Sequence, residues 1–146
     1  MIGGTDADGA MDAPNQATAS EQATSRDPER AAAHTALALA HFQAGRYDAA
    51  IAACHAALAC DPEHAPAYHA LGRACYHARP AEAAIAAYRQ ALALDPDYAD
   101  AAIGLTFVYS ARLGRYEETI AVSQQALARD PSAWVFHERI GDAYLR

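Results

Sequence analysis

The chain has 146 residues and a net charge of −7, and all eleven of its fixed positive side chains are arginine. The arginines are scattered rather than gathered into a stripe, which argues against nucleic-acid binding, and no run approaches the roughly 18 apolar residues of a membrane-spanning helix. Three cysteines with no CxxC pair suggest neither a disulfide framework nor a structural zinc site.

Residues 1–26 are rich in Gly, Ala, Thr, Ser, Asp and Gln and carry no apolar periodicity. They read as a disordered N-terminal tail. The tail has no basic start and no apolar core, so it is not a signal peptide, and the expected location is cytoplasmic.

From Asp27 onward the chain is punctuated. Asp27-Pro28, Asp61-Pro62, Asp95-Pro96 and Asp130-Pro131 place prolines 34, 34 and 35 residues apart. A fixed period of this length marks a repeat array. Proline cannot continue a helix and biases the residue before it toward extended backbone. Each pair therefore ends one helix, and the next is expected just after it, with Asp as N-cap and Pro in the first turn. A second break lies midway through each unit, at Gly45-Arg46, Arg79-Pro80 and Gly114-Arg115. Between breaks, apolar residues recur at helical spacing, as in Ile51, Cys54, Leu58 and Ile85, Tyr88, Leu92. Alanine, the best helix former, fills most other places. Each unit is two short antiparallel helices.

Tyr68, Leu71, Gly72, Ala84, Tyr88, Ala91 and Pro96 carry a resemblance to the tetratricopeptide repeat family, with Cys75 in the tyrosine slot. His34, Leu37, Ala38, His41, Ala50, Cys54, Ala57 and Pro62 occupy the same slots one unit earlier. Ala102, Leu105, Thr106, Tyr109, Thr119, Ser123, Ala126 and Pro131 occupy them one unit later, with one residue inserted before Gly114. His137, Ile140, Gly141 and Tyr144 begin a fourth. The resemblance implies an all-α, right-handed α-solenoid of three helix-turn-helix repeats plus the first helix of a fourth. The repeats would span about 31–64, 65–98 and 99–133, with a partial unit at 134–146, all within a domain at 27–146. The slots make Cys54 and Cys75 small buried hydrophobes and place His34 and His41 in the core. Cys60, at a helix end, is expected to be partly exposed.

In this family the first helices line a concave groove. First-helix residues outside the packing slots are Thr35, Leu39, Phe42 and Gln43; His69, Arg73, Tyr76 and His77; Ile103, Phe107 and Ser110; and Glu138, Arg139 and Asp142. The partner-binding candidates among them are Leu39, Phe42, Gln43, His69, Arg73, Tyr76, His77, Ile103, Phe107 and Arg139. His69, Arg73 and His77 stand at i, i+4 and i+8 on one helix face and offer a cationic contact tunable by pH. Chaperone-binding members of the family hold a peptide's terminal carboxylates with Lys, Arg and Asn. No Asn lies in this set, so an apolar helical or extended ligand fits better.

No phosphate-cradling loop, GxSxG or HExxH is present. The sequence thus reads as a non-enzyme needing no cofactor or metal, and as a module that binds a protein or peptide partner. Two other readings stay open. One is a structural subunit docking through the C-terminal edge at Trp134, Ile140 and Tyr144, with a homodimer through the last helix as one form of it. The other is a repeat region related to a longer transferase.

Overall fold

The computed structural model describes residues 26–146. The expectations for the tail lie outside those residues, apart from Arg26. Among the described residues there are seven α-helices and no strand. Three hairpins follow in order: α1 (Pro28–Gln43) with α2 (Tyr47–Cys60), α3 (Ala65–Ala78) with α4 (Ala81–Leu94), and α5 (Ala99–Phe107) with α6 (Tyr116–Arg129). A short π-helical turn (Val108–Arg112) continues α5, and α7 (Trp134–Tyr144) closes the series. Each helix packs on its neighbour in sequence, and the first helices α1, α3, α5 and α7 also touch one another in a row. This is an α-solenoid of helix-turn-helix repeats, as the period predicts.

The breaks fall where the sequence places them. Gly45 and Gly114 end the first helices of their hairpins with φ of 73° and 61°, a region that glycine adopts without a Cβ clash. At Gly45 the Arg46 N–H returns to the His41 carbonyl, closing the helix end.

The Asp-Pro pairs work differently from expectation. Only Asp27 caps a helix directly: its carboxylate accepts from the Arg30 N–H, and Pro28 opens α1. The other three build a turn first. Asp61, Asp95 and Asp130 end α2, α4 and α6 in extended backbone, as a pre-proline residue prefers. Their carboxylates then accept from the N–H two residues on, at Glu63, Asp97 and Ser132. Their carbonyls accept from His64, Tyr98 and Ala133, the true N-caps of α3, α5 and α7. Asp at the first and Pro at the second position of a tight turn is the chemistry at work.

The core is built largely of alanine. Ala38, Ala53, Cys54 and Ala70 form one cluster between the first two repeats. A larger one runs from Ala50 and Ile51 through Ala74, Cys75, Ile85 and Tyr88 to Leu105, Val108 and Tyr109. Cys54 and Cys75 are buried thiols, and burial pushes Cys54 up to about 12. Cys60 is half-buried.

The helices approach closely because glycines meet Tyr88. A Cβ on Gly72 would lie 2.7 Å from the Tyr88 ring, and one on Gly104 would lie 2.5 Å from it. Tyr88, on α4, is thus held between the first helices of its own repeat and the next.

The first repeat departs from the expected slots. The buried stripe of α1 is Ala31, Thr35 and Ala38. Leu37 is 48% exposed, and His34 and His41 are half-buried rather than core. A first helix in such an array packs on its own partner and on the preceding unit, and no preceding unit lies among the described residues.

Candidate functional site

The first helices of the three repeats, with α7 beyond them, line a groove of about 610 Å³. Phe42 comes from α1; His69, Arg73, Tyr76 and His77 from α3; Asp100, Ile103, Gly104 and Phe107 from α5; Arg139 from α7. Tyr88 reaches the floor from the second layer of helices, through the gap that Gly104 leaves.

The lining is aromatic and mutually braced. The Tyr76 and Phe107 rings meet at 5.4 Å between centroids. His77 stacks on Tyr47 at 4.6 Å and packs edge-on to Tyr76. Arg73 lies 4.3 Å over the Phe42 ring and Arg139 5.7 Å over Phe107. In each pair the arginine belongs to the next first helix along. These contacts have the cation–π distance, and they hold the guanidinium groups along the groove wall.

One end of the groove is polar. The His69 Nδ1 is 3.2 Å from the Tyr98 hydroxyl, and its ring packs against Tyr88. Burial pushes the His69 imidazole below its ordinary value, and the nearby Arg73 adds to this against the opposing pull of Asp100. The charged form of His69 is thus disfavoured, which sets it apart from Arg73 on the same helix face. The fixed positive charge of the groove belongs to Arg73 and Arg139. Tyr88 is also raised, chiefly by burial, so its hydroxyl stays protonated.

Six of the first-helix residues singled out by spacing lie elsewhere. Thr35 is buried, and its hydroxyl donates to the Ala31 carbonyl at 2.8 Å. Leu39 packs inward on Ala38, Ala53, Cys54 and Ala70. Gln43 is exposed near the end of α1, away from the lining. Ser110, Asp142 and Arg139 border a second concavity of about 340 Å³ farther along α5 and α7, while Glu138 is exposed and lines neither. Spacing on the first helices did not point to Tyr88, Asp100 or Gly104. Tyr88 is a second-helix packing residue, and a glycine window had no expected place in the pattern.

At the C-terminal edge, Trp134 and Tyr144 are each 71% exposed, whereas Ile140 is half-buried. Phe136 turns inward and is buried. Among the described residues no three His, Cys, Asp or Glu side chains converge as metal ligands, and no helix is long and apolar enough to cross a membrane.

Paired helices in phase, stacked so that first helices face a groove, define a helical-repeat protein. The chain belongs to the tetratricopeptide repeat family: models described as tetratricopeptide repeat match residues 16–65 and 65–98. No curated protein matches the sequence. Among solved structures it is similar to MamA, at 29% identity over 81% of this chain and 68% of that one, with a TM-score of 0.70. It is similar to the first repeat domain of Spaghetti (RPAP3), solved with an HSP90 peptide; identity is 18% over 82% of this chain and 94% of that one, with a TM-score of 0.73. That identity speaks for the fold alone. The O-GlcNAc transferase of Thermobaculum terrenum is 28% identical over 82% of this chain but only 23% of its own, with a TM-score of 0.67.

Proposed function

We propose that this chain is a non-catalytic interaction module whose repeat array, 27–146, receives a segment of a partner protein in its concave groove. The observation that carries the reading is the convergence of Phe42, Tyr76, Ile103 and Phe107 from three successive first helices onto one cavity. Phe107 is 41% exposed there, an uncommon position for a large apolar ring in the absence of something to cover it. Aromatic and arginine side chains are also the residues that most often dominate binding energy at interfaces. A peptide-bound relative of the same fold gives the reading a precedent; the transferase, of which this chain spans under a quarter, gives none for catalysis.

The test is selection of a random peptide library on the full chain. Peptides that bind through the groove should lose at least tenfold in affinity on Phe107→Ala, about 1.4 kcal/mol, while the variant keeps its helicity and melting behaviour. Peptides that bind wild type and Phe107→Ala equally would move the site off the groove.

Trp134 and Tyr144 support a second reading, in which the outer face of α7 docks on a second copy or on a partner's helix. Exposed apolar surface of this kind is characteristic of interfaces. Sedimentation across a concentration series should then show self-association that Tyr144→Asp abolishes. A monomer at all concentrations would remove the homodimer.

A further inference from the structure

Most internal arginines of this chain are already engaged. Arg26, Arg30, Arg79, Arg115 and Arg129 each lie within 4.0 Å of a carboxylate. Arg46 donates to His41, Arg89 to the Tyr109 hydroxyl, and Arg112 to the Tyr76 and Arg79 carbonyls. Arg73 and Arg139 stand apart. Among the described residues neither has an ion-pair or hydrogen-bond partner, and both line the groove.

Arg139 is the sharper case, because its Nε is buried without any acceptor. An unpaired donor on a charged group is costly, and with Nε itself covered, the Nη groups are the donors a ligand can reach. Asp142 lines the neighbouring concavity with Arg139 but is not within ion-pair distance of it. Cation–π contacts with Phe42 and Phe107 locate both guanidinium groups on the groove wall while leaving N–H groups unused. Those N–H groups are the part of arginine that matches a carboxylate. Between the two cations lies an apolar hollow walled by Tyr76, Ile103 and Phe107 and floored by Tyr88. Asp100 is the one carboxylate among the lining residues, and it sits toward the His69 end, where it pulls on that imidazole. An acidic ligand group is therefore directed away from that end and toward Arg139.

We propose that the groove recognises an internal peptide segment in which Asp or Glu side chains flank a large apolar residue. The apolar side chain seats between Tyr76, Ile103 and Phe107 above Tyr88, and the carboxylates accept from Arg139 and Arg73. The inference rests on the groove reading above and adds the ligand's chemistry to it.

The experiment uses the full chain and a random 15-residue library displayed within a coat-protein loop, so that no peptide has a free terminus. Enriched peptides should carry an acidic residue next to an aromatic or large aliphatic one. Their affinity should fall at least tenfold on Arg139→Gln and on Arg73→Gln, should fall with rising salt, and should be unchanged on Arg129→Gln. Arg139→Lys, which keeps the charge but not the fork, serves as the second variant should Arg139→Gln unfold, and it should also weaken binding. Apolar peptides without acids, sensitive to Phe107→Ala but indifferent to both arginine variants, would leave the groove reading standing and overturn this one. The acidic-segment proposal is likewise overturned if only peptides with a free C-terminus bind, or if phosphopeptides displace the acidic ones at far lower concentration. No enrichment, or enrichment indifferent to Phe107, Arg73 and Arg139 alike, would overturn both.

Discussion

Replacing Gly72 with leucine is expected to lower the stability of the array by about 3 kcal/mol or more, at the upper end of overpacking costs. The first added carbon would already stand 2.7 Å from the Tyr88 ring. Tyr88 has little room to yield, since Gly104 closes on its other side at 2.5 Å. Two glycines provide the contrast. Gly45→Ala meets no atom within 4 Å but must adopt a φ of 73°, so about 1 kcal/mol is expected from the left-handed backbone. Gly141 fills the same family slot as Gly72, yet an added Cβ there meets nothing within 4 Å. Gly141→Ala, in the interior of α7, should be neutral or gain up to about 1 kcal/mol from helix propensity. Denaturant midpoints of the three variants give the order directly. Equal small losses at Gly72 and Gly141 would mean that the close crossing at Tyr88 is absent.

Tyr88 should divide its two chemical parts. Tyr88→Ala removes a buried ring from the centre of the larger core cluster and is expected to cost about 3–5 kcal/mol. Tyr88→Phe keeps the ring. Among the described residues the hydroxyl makes no hydrogen bond, and it faces the groove, so its removal should change stability by less than about 0.5 kcal/mol. The same variant should nonetheless alter which peptides the groove selects, because it removes the only hydroxyl on the floor. A stability loss on Tyr88→Phe near that of Tyr88→Ala would show instead that the hydroxyl is part of the core.

The architecture was legible in the chain because its signals are local. Proline spacing, the glycine breaks and alanine-rich helical stretches each act within a few residues, and together they dictate where helices stop. The Asp-Pro pairs were harder to place, since Asp can cap a helix or start a turn, and only the three further residues before α3, α5 and α7 settle which. Groove membership is legible from helix periodicity only for residues whose neighbours on both sides are regular. Thr35 and Leu39 fail that condition, as α1 buries a stripe rotated from the family slots. Tyr88 could not be read as a groove residue from its own sequence position. It lines the floor because Gly104, sixteen residues later, leaves a space in a different helix. The lowered His69 imidazole likewise reflects burial and Arg73, which helix spacing suggests, set against Asp100, which it does not.

The π-turn at Val108–Arg112 shows how this array tolerates a change in its own period. The third interval between prolines is one residue longer than the others, and the extra residue is looped into the helix rather than into the connection after it. Because a π-turn adds a residue without adding a full step of rotation, the sites upstream and downstream keep their phase: Leu105 and Tyr109 before and at the turn, and Thr119 and Ser123 after it, remain buried. The displaced side chain gains a task as well. Arg112 lies 5.3 Å over Tyr76 and donates to carbonyls at the C-terminal end of α3, including that of Arg79 at 3.3 Å, so it satisfies acceptors that a helix end leaves open. An insertion in such a protein thus becomes a strut between adjacent units, and length variation among repeats can add mechanical coupling without disturbing the lattice.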